Sequence, residues 1–357
     1  MRAIPATVFY SLMSLSALLT VPASGAATNQ KEGEFFGAKI TEYPEWFKES
    51  FLNLPDDIAE ASAHNKRLVL FFEQNGCPYC NALVERNLAQ KDIADKVKKY
   101  FDVININMWG DREITYINGK HYTEKSLAEA LKVQFTPTLL FFDENGKIVL
   151  RLNGYRSPDK FNVDLDYVAL RKENEMKYMD FMKANLPSTM SNKELNKQDF
   201  FIAEPYNFQA VKNKLQAVFF EQKDCPDCDT LHNKILPDKE LRKIIGNFRV
   251  AQLDMWSKTP VVTPQGDKLT AREWAKKLDI KFAPSIVIFN EKGEEVIRSE
   301  GAFKVFHTQG IFDYVLSGSY VKQPSFQRYL SDRAEHIREQ GRDVDIWNFA
   351  GEKPGKH

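Results

Sequence analysis

One strand-and-turn motif occurs twice in this chain, and the repeat limits what it can fold into. Leu70-Phe-Phe-Glu-Gln-Asn-Gly-Cys-Pro-Tyr-Cys80 returns as Val218-Phe-Phe-Glu-Gln-Lys-Asp-Cys-Pro-Asp-Cys228. All four cysteines of the chain lie in these motifs, as two Cys-Pro-X-Cys pairs. Each pair follows an apolar, β-prone run too short for a helix. A strand leading directly into such a turn reads as a thiol redox site rather than a metal site. A structural disulfide gains by closing a long loop. A two-residue loop gains almost nothing, so its value lies in opening and closing. Spacing favours closure within each motif.

Further matches repeat with a period close to 147 residues. Asn107-Met-Trp-Gly returns as Asp254-Met-Trp-Ser, and Phe135-Thr-Pro-Thr as Phe282-Ala-Pro-Ser. Gly154 maps to Gly301, and Tyr167-Val to Tyr314-Val. A period this long means tandem domains rather than a solenoid. One unit reads as a helix over Trp46–Ala63, a buried strand Arg67–Glu73, and a helix from Cys77 through Leu88. A strand Phe101–Met108, a turn at Ile117–Lys120 and a helix Thr123–Leu131 capped by Thr123 follow. Then come strands Thr138–Phe142 and Ile148–Leu152 around a turn at Asp143–Gly146, and a helical region from Pro158.

The N-terminus has Arg2, an apolar stretch from Val8 to Val21, and then Ala23-Ser24-Gly25-Ala26-Ala27. That is the layout of a secretory signal peptide cleaved after Ala26. The apolar run falls short of the ~20 residues a spanning helix needs, and no cysteine follows it to carry a lipid. The mature chain is therefore expected to be exported, without a transmembrane segment. Outside the cytosol disulfides persist. The chain has 49 basic and 49 acidic residues. That balance gives no reason to expect nucleic acid.

The order is strand, Cys-X-X-Cys helix, strand, helix, X-Pro strand, hairpin strand, helix. Taken with the aromatic strand, the proline opening the next hairpin and the glycine closing it, this resembles the thioredoxin fold. The resemblance covers nearly the whole mature chain. It implies an α/β protein of two tandem thioredoxin-like domains, each a central mixed sheet flanked by helices. The expected boundaries are a signal peptide 1–26, domains 35–185 and 208–342, a linker 186–207 and a polar tail 343–357. Cys-Pro-Tyr-Cys alone looks like glutaredoxin. The exported context and the extra hairpin look more like periplasmic thioredoxin-like proteins of the SoxW type.

A helix N-terminus favours negative charge, so Cys77 and Cys225 read as nucleophiles and Cys80 and Cys228 as resolving thiols. The resemblance implies cis bonds before Pro137 and Pro284. It also implies that the backbone of Thr136 and Ala283 pairs with an extended substrate segment. Thioredoxin has a buried Asp six residues before its first cysteine, where this chain has Phe71 and Phe219. Glu73 and Glu221, four before it, are candidate proton acceptors or solvated strand ends. His232, four after Cys228, reads as a surface or helix-packing histidine, with a metal ligand as the alternative; Val84 stands there in the first copy. A four-thiolate zinc site would need about 15–20 residues between pairs, and here an entire domain intervenes. The pattern calls for no metal and no cofactor.

The implied activity is thiol–disulfide exchange on client proteins, as a periplasmic reductase or exchange carrier recharged by a membrane electron donor of the DsbD/CcdA type. The alternatives are a disulfide oxidase or isomerase, and a thioredoxin-fold binding or chaperone module without turnover. The copies differ at their turns. Tyr79 is neutral, whereas Asp224, Asp227 and Asp229 surround Cys225, with Lys223 the nearest offset. Negative charge disfavours a thiolate and makes the couple more reducing. The Cys225–Cys228 couple is expected to have the lower reduction potential, measured by redox titration of each domain expressed alone. An equal or higher value would refute the charge argument.

Overall fold

The computed structural model describes residues 31–186, 194–209, 214–349 and 352. The expected leader at 1–26 lies outside the described residues. Arg67–Glu73 is a strand buried at every position. It lies parallel to Phe101–Asn107 and antiparallel to Thr138–Phe142, which pairs antiparallel with Ile148–Asn153. The second copy builds the same four-stranded mixed sheet, in the order Arg249–Asp254, Gln216–Glu221, Ser285–Phe289, Glu295–Glu300. Even the register shift in the last hairpin recurs, at Phe141/Phe142 and at Ile288/Phe289.

Strand alternation sends side chains to two cores, because successive residues face opposite ways. Leu68, Leu70 and Phe72 join a cluster with Ile114, Leu127 and Leu140. Val218 and Phe220 do the same in the second copy, around Trp274. Val69 and Phe71 face the opposite way, as do Ala217 and Phe219. These residues all belong to one continuous apolar cluster that runs through both domains. The redox helices pack on that shared side.

The short helices that follow the cysteines, Pro78–Ala82 and Pro226–Thr230, each continue into a π-helical turn. Three readings change. The helix expected over Trp46–Ala63 begins only at Leu54, because Pro55 has no N–H to continue a helix through it. Two amphipathic helices, Lys91–Tyr100 and Lys239–Ile245, were not foreseen. The connectors are also more structured than their polarity suggests. Phe201 bridges Val250, and Tyr206–Asn207 pairs with Val261–Val262, so the described end of the 186–207 stretch packs on the second domain. In the 343–357 tail, Val344–Asp345 pairs parallel with Phe35–Phe36 near the chain start, and Val344 and Ile346 are buried. Their alternation places two apolar side chains on one face of an otherwise polar stretch. The tail residues 350, 351 and 353–357 lie outside the described residues.

Trp274 anchors the outer core of the second domain, its ring 5.1 Å from Phe208 and 5.6 Å from Phe220. Trp274→Ala is expected to cost about 3–5 kcal/mol, read from the denaturant midpoint of the unfolding transition that contains this domain.

Candidate active sites

Each cysteine pair is a closed disulfide at a helix N-terminus. Cys77 and Cys225 occupy the N-cap positions, with Pro78 and Pro226 in the first helical turn, where a missing N–H costs nothing. The Cys80 amide donates to Cys77 Sγ at 3.1 Å, and the Cys228 amide to Cys225 Sγ at 3.1 Å. These donors would equally stabilise a thiolate on the outer cysteine.

The prolines meet the sulfurs. The Thr136–Pro137 and Ala283–Pro284 bonds are both cis, as is Glu204–Pro205. Cys77 Sγ lies 3.5 Å from Thr136 O and 3.3 Å from Thr136 Oγ1. Cys225 Sγ lies 3.6 Å from Ala283 O. The structure thus brings Cys77, Cys80, Thr136 and Pro137 together in one copy, and Cys225, Cys228, Ala283 and Pro284 in the other.

Glu73 and Glu221 end their central strands and are buried, not solvated. Burial pushes the Glu73 carboxyl up, against the Tyr43 hydroxyl that donates to it at 3.1 Å. Glu221 has no exposed surface. His232 Nε2 lies 2.9 and 3.1 Å from its two carboxylate oxygens, and Gln252 Nε2 donates to it at 2.9 Å. His232 Nδ1 lies 3.1 Å from Gln198 Nε2. His232 is therefore the buried partner of a carboxylate rather than a surface group. Among the described residues, no group of three or more His, Cys, Asp or Glu side chains is arranged to hold a metal.

The surroundings of the two pairs differ. Tyr79 is buried, and its hydroxyl accepts from the Lys304 amide at 3.0 Å. Its ring meets Phe303, His307 and Trp347 edge-on. Burial pushes Tyr79 above the usual phenol range and pushes His307 down to about 4, so both are neutral at pH 7. At the second pair Pro226 is exposed and Asp227 half-buried. Asp227 pairs with Lys160 of the first copy, not with Lys223. Asp229 accepts from Asn196 at 2.7 Å. The negative charge read around Cys225 is thus partly offset across the domain contact. Sequence reasoning missed this set of cross-domain neighbours, because no spacing within either repeat signals them.

The thioredoxin-like domain family model matches residues 54–169 and 206–316, well over half of the chain. The chain belongs to the thioredoxin-like domain family. With two Cys-X-X-Cys pairs closed as disulfides beside cis prolines, it is a thiol–disulfide oxidoreductase of the thioredoxin-like kind. None of the curated proteins matches it. Among solved structures it is similar to a thioredoxin-fold protein from Helicobacter pylori, with 26% identity, 34% of this chain and 80% of that one covered, and a TM-score of 0.30. A thioredoxin from Thermus thermophilus has 20% identity over 39% of this chain and 89% of its own, with a TM-score of 0.28. The C-terminal domain of Neisseria meningitidis DsbD in the reduced form has 17% identity over 32% and 93%, with a TM-score of 0.26. Among the described residues, no helix is long and apolar enough to cross a membrane.

Proposed function

We propose that this chain is an exported protein-disulfide reductase or exchange carrier that works in the periplasm. The observation that carries the chemistry is the placement of each outer sulfur, capped by an amide and within 3.6 Å of the residue before a cis proline. Export rests on the signal-peptide layout of the first 26 residues. A membrane donor of the DsbD/CcdA type would return electrons to the oxidised pair.

In the reduced form, the Cys77 or Cys225 thiolate attacks one sulfur of a client disulfide. That S–S bond breaks, and the other client sulfur leaves as a thiolate. The new bond is a mixed disulfide. Deprotonated Cys80 or Cys228 then attacks the outer sulfur, closes the Cys-X-X-Cys disulfide and releases the first client sulfur as a thiolate. Two electrons pass to the client, and the two client thiolates take up protons. The backbone at Thr136 and Ala283 holds the client segment as an added strand.

In this reading Glu73 and Glu221 receive the proton of the resolving thiol. Both lie buried at strand ends just before their motifs, where a carboxylate can take a proton without solvent. His232 is a helical turn beyond Cys228 and on the same face, and it holds Glu221 by both oxygens. Glu221→Gln preserves size and one accepting oxygen but removes the base. In a chain carrying Cys77→Ser and Cys80→Ser, it is expected to slow insulin reduction about 100-fold in protein that thermal unfolding shows to be folded. An unchanged rate would exclude Glu221 as the acceptor.

The activity itself is tested with Cys77→Ser plus Cys225→Ser, which is expected to abolish insulin reduction. Cys80→Ser and Cys228→Ser variants are each expected to hold clients as mixed disulfides, recovered by non-reducing electrophoresis. Retained turnover without both outer cysteines would overturn the assignment.

A further inference from the structure

The two domains meet face to face, and they do so with equivalent residues. Phe135, before the first cis proline, stacks on Phe303 of the second domain at 5.0 Å and meets Phe326 at 5.4 Å. Its counterpart Phe282 receives Arg156 of the first domain at 4.4 Å and Tyr178 at 5.6 Å. Phe303 lies 147 residues after Arg156, and Phe326 opens its helix as Tyr178 opens the equivalent one, 148 residues earlier. Tyr79 meets His307, and the equivalent Asp227 meets the equivalent Lys160. The equivalent Trp109 and Trp256 each lie under a cation of the other domain, Arg328 at 4.8 Å and Lys183 at 5.9 Å, although these two cations stand at different positions of the repeat. Asn153 and Glu300 are also equivalent, and they bond directly to each other at 2.8 Å. A pair of equivalent residues that touch each other marks a local two-fold axis. Residue i meets j while the copy of j meets the copy of i, the signature of an isologous interface.

This interface lies over the client edges. Gln134 Oε1 accepts from the Phe326 amide at 2.9 Å, and the Gln134 carbonyl accepts from Gln327 Nε2 at 3.0 Å. Gln327 also accepts from Gln74 at 2.7 Å, just before Cys77. A strand laid along Thr136 therefore meets Phe326 and Gln327. Gly154, closing the same hairpin, has φ +81°, and a Cβ there would lie 2.8 Å from the Phe303 ring. The backbone is bare where the second domain presses on it. Tyr79, Pro78 and Thr136 are all buried beneath this cover. The seam near the axis is polar, however. A cleft of about 360 Å³ opens there between Arg151, Asn153, Arg298 and Glu300.

We propose that this is a closed resting form, in which each domain occupies the other's client-binding face and a protein client reaches Cys77 only when the domains separate. The proposal rests on the exchange activity inferred above. The domain contact is a surface matched to one occupant, the other copy of the same fold, and it competes with clients for the cis-proline edge. Both outer cysteines are buried, and the cover beside Cys77 is mainly apolar. Over Cys225 it is a partly exposed ion pair.

The test uses the full chain with Cys77 as its sole thiol, through Cys80→Ser, Cys225→Ser and Cys228→Ser. The rate of labelling by a maleimide carrying a polyethylene glycol chain is measured alongside the solution scattering radius. Phe303→Asp places a charge in the apolar cover and is expected to raise labelling about tenfold or more and to enlarge the radius. Arg328→Glu, an exposed change that removes the cation over Trp109, is expected to act in the same direction with less risk to folding. Wild-type labelling as fast as that of an unstructured cysteine peptide would overturn the closed form. So would labelling and radius unchanged by Arg328→Glu in a folded chain. Insulin reduction by the same interface variants, with all four cysteines restored, separates the two readings. Faster labelling without any insulin reduction supports closure while refuting the exchange activity.

Discussion

The packing of Phe135 and Phe282, each into the opposite domain, is the contact on which the rest of the arrangement depends. Each stands one residue before the carbonyl, of Thr136 or Ala283, that meets an outer sulfur ahead of a cis proline. An aromatic at this position left in water would expose a large apolar surface at the rim of the site. Each copy covers it with the same two positions of the other, Phe303 and Phe326 in one case and Arg156 and Tyr178 in the other. Because the covering positions are equivalent, the redox faces of both sheets join one apolar cluster. The outer faces remain separate cores. Each domain thus has a core of its own and shares a second one.

Much of a single domain was legible in the residues. The runs Leu70-Phe-Phe and Val218-Phe-Phe are continuous because these central strands are covered on both faces. The Cys-Pro turns, the X-Pro strands and the glycines that close the hairpins follow from local backbone rules. What was not legible depends on distant partners. The start of the first helix was overrun because its apolar spacing continues through Pro55, although the backbone cannot. Val344 and Ile346 sit in a polar stretch, and only the Phe35–Phe36 edge at the other end of the chain turns them into a strand. His232 looked interchangeable with Val84 until Glu221 lay opposite it.

The cross-domain contacts were illegible for a different reason. Several of their members are ordinary helix residues within each repeat. Lys160 and His307 occupy equivalent places, as do Asp227 and Tyr79. Neither pair matches by residue type, yet both make the same contact, one as an ion pair and one as an aromatic edge. An isologous interface preserves who meets whom while leaving each pair free to change its chemistry. Comparison of the copies by residue identity therefore hides the contact that comparison by position reveals.

That freedom shapes the chemistry at the sulfurs. Around Tyr79, next to Cys77, the neighbours are neutral rings, buried or half-buried, and burial pushes the His307 pKa down to about 4. The amide dipoles at that helix N-terminus then act in a medium with little water to screen them. Around Cys225 the helix end bears Asp227, whose charge is offset by Lys160 only while the domains are together. Separating the domains leaves the first site's intrinsic charge unchanged and gives it water. At the second site it removes a cation. The same motion therefore opens both pairs, buried alike, but changes the charge around only one, so two near-identical motifs need not behave as equals.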